Sequence, residues 1–118
     1  MFLFVAQNKV ITAFHEARRA FEAALDVQRN ALSYNQDNGP LMFGTATTLC
    51  NLGYLYRYRD MHGKAALVLK EASVLQEAVL GKSHATVLLT MDNLANLFVK
   101  VNCAPNPTAP EIPATITT

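Results

Sequence analysis

Apolar residues recur at helical spacing in four segments of this chain, and three short breaks separate the segments. In the first segment the apolar positions lie three, four or seven residues apart, as on one face of an α-helix. They are Phe14, Ala17, Phe21, Ala24, Leu25 and Leu32, and the later segments follow the same spacing. β-Branched residues are sparse and never alternate for long. The pattern therefore predicts an all-α fold of four helices.

The breaks contain residue types that end and begin helices. They cover residues 38–44, 60–63 and 81–83. Gly81 suits the position after a helix, because glycine enters the left-handed region without strain. Ser83 suits the N-cap of the next helix, since its hydroxyl can accept a hydrogen bond from a free amide. We expect connections of this kind at all three breaks.

Proline defines the end of the predicted helical domain. Four prolines follow Cys103 within ten residues, and threonines follow them. Because proline lacks an amide donor and fixes φ, no helix continues there. The sequence predicts a helical repeat domain over residues 1–103 and a disordered Pro/Thr-rich tail over residues 104–118.

The helical segments match each other in alternate pairs. The second and fourth align at an offset of 42 residues, which pairs Asn51 with Asn93, Leu52 with Leu94, and Tyr56 with Phe98. The first and third align at an offset of 48, which pairs Phe21 with Leu69, Ala24 with Ala72, and Gln28 with Gln76. The chain therefore reads as helix B, helix A, helix B, helix A of a repeated two-helix unit.

The spacing within this unit resembles the tetratricopeptide repeat (TPR). Its signature positions are matched by Leu49, Leu52, Gly53, Tyr56, Ala65, Leu69 and Ala72, with small residues where two helices approach closely. The stretch LGKSHATVLLTMDNLANLF resembles the kinesin light chain type of TPR, which nephrocystin-like and other adaptors share. The resemblance covers about residues 14–98. It implies an antiparallel helix-turn-helix solenoid of about two repeats.

The chain departs from that pattern at several positions. Ala85 stands where proline is usual, and Met42 replaces the histidine of the first connection. The helix A that should precede the first helix B is reduced to a remnant containing Phe4, Val5 and Asn8. Because both ends of the array are incomplete, we expect two uncapped apolar helix faces.

Charge and cysteine content exclude several classes of function. Ten Lys and Arg residues against nine Asp and Glu give a net charge of +1, which predicts neither nucleic-acid nor membrane binding. Cys50 and Cys103 are too few for a disulfide scaffold and fit no metal-ligand spacing, so no cofactor is expected. The chain has no signal or membrane-spanning pattern, which predicts a cytoplasmic location. Charged residues form only 16% of the chain against about 25% in average domains, so some apolar surface should contact a partner.

No acid–base constellation indicates an enzyme. His15, His62 and His84 lie on three different segments. Cys50 is expected to be a free thiol in the core or in a groove, and His84 a structural hydrogen-bonding residue. We therefore predict a protein without catalytic activity.

The resemblance implies that the A helices line a concave peptide-binding groove. The matching groove positions are Thr47, Cys50, Asn51, Tyr54, Arg57 and Tyr58, and then Leu89, Asp92, Asn93, Asn96, Val99 and Lys100. Of these we predict peptide binding by Asn51, Tyr54, Arg57, Asn93, Asn96 and Lys100. Asparagine amides can donate to and accept from a peptide backbone, and the two cations would attract an acidic segment. Alternatively, Asn51 and Asn93 only bridge helices within the array.

Two functions remain open from the sequence. The first is a non-catalytic scaffold or adaptor that holds a peptide or partner helix in the groove. Kinesin light chain resemblance implies a cargo adaptor with an acidic motif as that partner. The second is a structural stub of a longer repeat protein that forms homo-oligomers through its uncapped helix faces.

Overall fold

The structure, a computed structural model, describes the backbone of residues 2–103 and the side chains of residues 5–101. It contains four helices and, within those residues, no strand: α1 (Phe2–Tyr34), α2 (Gly39–Tyr58), α3 (His62–Leu80) and α4 (Ala85–Cys103). The all-α prediction with four helices is confirmed. The predicted tail over residues 104–118 lies outside the described residues.

The first two helices differ from the prediction at their boundaries. α1 is one continuous helix of 33 residues, so the predicted helix-A remnant around Val5 and Asn8 is wrong. Neither glycine nor proline interrupts residues 2–34, and therefore nothing ends a helix there. The first connection covers only residues 35–38, and Gly44 lies inside α2. Gly63 likewise lies inside α3.

Asn38 fixes the start of α2. Its side-chain Oδ1 accepts a hydrogen bond from the backbone N–H of Leu41 at 3.0 Å, as an N-cap does. Pro40 follows in the first turn, where its missing amide hydrogen would have had no helical partner. The Asn-Gly-Pro sequence is therefore a helix start and not an extended break.

α2 ends in a Schellman motif built on aspartate. Asp60 has a φ of 57°, the left-handed conformation that usually favours glycine. The N–H of Met61 donates to the carbonyl of Tyr56 at 2.9 Å, and the N–H of Asp60 donates to that of Arg57 at 3.0 Å. The chain thereby turns into α3 within three residues.

The connection between α3 and α4 confirms one expectation and corrects another. Gly81 has a positive φ of 89°, and its N–H donates to the Glu77 carbonyl at 2.8 Å. The N-cap of α4, however, is not Ser83. His84 directly precedes the helix, and its Nδ1 accepts from the N–H of Thr86 at 3.1 Å. The predicted structural hydrogen bond of His84 is therefore present. Its side chain accepts from an amide that the hydroxyl of an N-cap serine would otherwise accept from.

Consecutive helices pack against each other, α1 on α2, α2 on α3 and α3 on α4. α1 and α2 are antiparallel, because Phe14 meets Arg59 at one end while Gln28 meets Gly44 at the other. α2 and α3 are also antiparallel, as three pairs of facing residues show. Tyr56 lies near Lys64, Gly53 against Leu69, and Cys50 against Gln76.

The closest contact between helices lies at Gly53. A Cβ atom placed there would be 2.8 Å from Cγ of Leu69, well inside van der Waals contact. Ala65, Leu69 and Ala72 on α3 are completely buried on this side. The expectation that a small residue at position 53 admits the neighbouring helix is confirmed.

Two polar contacts extend the packing beyond this core. Arg29 of α1 forms a bidentate pair with Glu71 of α3, with its Nη2 2.6 Å from Glu71 Oε1. Tyr56 of α2 donates its hydroxyl to Glu22 of α1 at 3.2 Å. α1 is therefore bound to both of the next two helices.

Candidate peptide-binding surface

One shallow hollow brings α2 and α4 together near their C-terminal ends. Its volume is about 330 Å³, and Tyr54, Arg57, Tyr58 and Lys100 line it. The three α2 residues lie at spacings of three and four, so they share one helix face. Three of the six residues predicted from the sequence therefore meet at a single place.

The hollow combines positive charge with aromatic surface. Arg57 and Lys100 lie in the last turns of their helices, where a cation interacts favourably with the helix dipole. Among residues 5–101, neither of them forms an ion pair with a carboxylate. Tyr58 is 72% exposed and Tyr54 43% exposed. The arrangement can bind carboxylates through the cations and flat or apolar groups through the rings.

The three predicted asparagines lie away from the hollow. Asn51 is exposed on α2 three residues before Tyr54, and Asn96 is exposed on α4 four residues before Lys100. These spacings place both amides on the helix faces that line the hollow, one turn closer to the N-terminus of each helix. Asn93 is half-buried on α4. Peptide binding by the asparagines stays a prediction.

Tyr58 is the lining residue that the predicted binding set omits. It occupies a groove position in the TPR-like register, and it follows Tyr54 by four residues on the same helix face. This spacing is the sequence feature from which Tyr58 could have been predicted as a lining residue. The ring widens the aromatic side of the hollow next to Arg57.

Cys50 belongs to the core and not to the groove. Its side chain is buried, and Nε2 of Gln76 lies 3.5 Å from its sulfur. Burial raises the pKa of the Cys50 thiol above its ordinary value, while hydrogen bonding with Thr90 and Gln76 has a smaller opposing effect. A protonated, enclosed thiol is a poor nucleophile.

The Tyr56 hydroxyl is also occupied within the fold. Burial raises its pKa, and the neighbouring Glu22 carboxylate adds to the effect. Arg18, which pairs with Glu22 at 3.1 Å, completes a chain of polar groups between α1 and α2. These groups hold the two helices together and do not face the hollow.

No known family model, curated protein or solved structure matches this chain. Across residues 2–103, no helix combines the length and hydropathy required to span a bilayer.

Proposed function

We propose that this protein is a non-catalytic interaction module that binds an acidic, extended peptide at the hollow between α2 and α4. The observation that carries the proposal is the convergence of Arg57 and Lys100 beside Tyr54 and Tyr58. Cations next to exposed aromatic rings suit a peptide with carboxylates and apolar side chains. The module would act as a scaffold or adaptor that needs no cofactor.

A TPR-like solenoid is the architecture that best accommodates this function. In such an array, A helices neighbour A helices and B helices neighbour B helices. The hollow shared by α2 and α4 supports the neighbouring of A helices. The Arg29–Glu71 pair between α1 and α3 supports the neighbouring of B helices. The close approach at Gly53 supports the packing of helices A and B within one unit.

The peptide would lie along the exposed faces of α2 and α4. Carboxylates of the ligand would pair with Arg57 and Lys100, and its apolar side chains would contact the tyrosine rings. Asn51, Asn93 and Asn96 would bond to its backbone, which favours an extended ligand without fixing its sequence. A cytoplasmic adaptor of the kinesin light chain type, with an acidic cargo motif as ligand, is the setting that the sequence resemblance implies.

Charge reversal at the hollow tests this proposal. The probe is a fluorescent library of ten-residue peptides with Asp or Glu at alternate positions, and its binding is followed by anisotropy at two salt concentrations. The test variant is Arg57→Glu with Lys100→Glu. The matched control, Lys9→Glu with Arg19→Glu, makes the same charge change on the exposed surface of α1.

We expect binding by the parent and by the control, and its loss in the hollow variant. Affinity should fall as salt rises, because exposed charges are screened. A library in which Asn and Gln replace the acidic residues should bind more weakly. Equal loss in both charge-reversed variants would show that net charge and not the hollow attracts the peptides. No binding by the parent would contradict the proposal.

A further inference from the structure

α4 exposes an apolar face to solvent at positions that correspond to buried positions of α2. At the offset of 42 residues, Leu49 corresponds to Met91 and Tyr56 to Phe98. Leu49 is 0% exposed and Tyr56 6%, whereas Met91 is 49% exposed and Phe98 48%. Leu88 and Ala95 continue this open face at helical spacing.

α1 has an open face that corresponds to the covered side of α3. At the offset of 48 residues, Ala24 corresponds to Ala72, which is 0% exposed and lies on α3 between Leu69 and Gln76, two residues that face α2. Ala24 itself is exposed, as are Ala20 and Val27, the counterparts of the half-buried Val68 and Leu75. The chain thus presents both halves of its own α2–α3 interface, one at each end.

We propose that copies of this chain associate head to tail, with α4 of one copy packed on α1 of the next. The contact would repeat between molecules the packing of α2 on α3. Large side chains such as Met91 and Phe98 on α4 would meet small ones such as Ala20 and Ala24 on α1. Within the chain, Leu69 of α3 packed against Gly53 of α2 shows the same size complementarity.

The fit between copies should be looser than the fit within one copy. Ala95 stands at the position of Gly53, and its methyl group keeps the partner helix further away. The α4 face and the α1 face also differ from each other, so the interface is heterologous. Each copy added to the assembly therefore leaves one α4 face and one α1 face unpaired. We therefore expect reversible growth beyond the dimer. This inference does not depend on the peptide-binding hollow.

Sedimentation of the full chain over a wide concentration range tests the inference. Ala24→Glu blocks the α1 face and Met91→Glu blocks the α4 face, and both sites are exposed, so each variant should fold. Asn30→Glu on α1 and Leu89→Glu on α4 add the same charge at exposed positions outside the two faces. Circular dichroism confirms the helix content of each.

The parent and both controls should gain mass with concentration past the dimer. Ala24→Glu and Met91→Glu should each remain monomeric alone. An equimolar mixture of these two should stop at a dimer, because one copy supplies an intact α4 face and the other an intact α1 face.

Three results would overturn the inference. A parent that stays monomeric at every concentration excludes self-association. Association that survives Ala24→Glu but not Met91→Glu indicates symmetric pairing of α4 with α4. Association that appears only when residues 104–118 are deleted shows that this segment of the same chain covers α4.

Discussion

At the scale of single residues, the absence of one carbon atom determines how closely α2 and α3 pack. Gly53 faces Leu69, which is completely buried. Gly44, nine residues earlier in the same helix, is 3.7 Å or more from its neighbours when a Cβ is added. The two glycines therefore offer a matched comparison of packing against helix propensity.

Gly53→Ala should destabilise the fold, and Gly44→Ala should stabilise it. Alanine gains about 1 kcal/mol over glycine inside a helix. At position 53 that gain is opposed by overpacking, which costs about 1–3 kcal/mol. At position 44 no clash opposes it, so a gain of about 0.5–1 kcal/mol is expected. Urea unfolding of the two variants measures the difference, and a Gly53→Ala protein more stable than the parent would contradict the close approach.

Single residues also show which features of the fold depend on more than the sequence pattern. The TPR-like register placed Tyr54, Arg57 and Lys100 on facing helices, and the structure brings them together. The same register could not show which polar groups would cap a helix. His84 and Ser83 are both able to cap, and only the path of the chain decides that the histidine reaches Thr86.

At the scale of helices, the contact between α1 and α2 combines apolar burial with a hydrogen bond from Tyr56 to Glu22. Because the pKa of Tyr56 is raised in the fold, its neutral form is favoured there. Its contribution to stability is complete below about pH 10, the ordinary pKa of tyrosine. Above that pH the unfolded chain ionises first, so stability falls until the pH passes the folded pKa.

Tyr56→Phe should therefore reduce the alkaline loss of stability. At pH 8 the variant should be less stable by about 1 kcal/mol, the typical net contribution of a hydrogen bond. As the pH rises from about 10 to 11, its urea midpoint should decline less than that of the parent. Tyr54→Phe, at an exposed ring, serves as the control and should decline as the parent does. Parallel declines for Tyr56→Phe and the parent would show that Tyr56 does not couple ionisation to folding.

Helix number and order could be predicted because the apolar spacing depends only on the chain. Helix ends were harder to place, since Gly44 and Gly63 look like breaks but lie in helices. Glycine lowers helix propensity by only about 1 kcal/mol, an amount that burial of neighbouring leucines easily exceeds. The length of α1 was missed because a repeat pattern suggested an interruption that the residues themselves do not contain.

At the scale of the whole molecule, burial is concentrated in the middle of the array. Of the side chains at positions 5–101, those with no exposed surface are Ala46 and Leu49 on α2 and Ala65, Leu69 and Ala72 on α3. Residues 5–13 of α1 are all exposed. Since Phe14 already lies opposite the end of α2 at Arg59, the residues before it extend past that helix.

Hydrogen exchange should follow this distribution. Amides of α2 and α3 should exchange slowest, because opening them breaks contacts on both sides. Amides of residues 5–13 should exchange fastest among the helices, and α4 should be intermediate. Mass spectrometry of peptides covering each helix measures the order. Uniform protection along α1 would mean that another surface covers its first three turns.

The close approach at Gly53 also has a genetic consequence. Glycine is the only residue without a Cβ, so every missense change in codon 53 adds at least one carbon between α2 and α3. Codons 39 and 63 specify glycines with open space around the missing Cβ. A randomised library selected for soluble expression should therefore return glycine at codon 53 and a wide range of residues at the other two. Codon 53 should tolerate the least variation of the three.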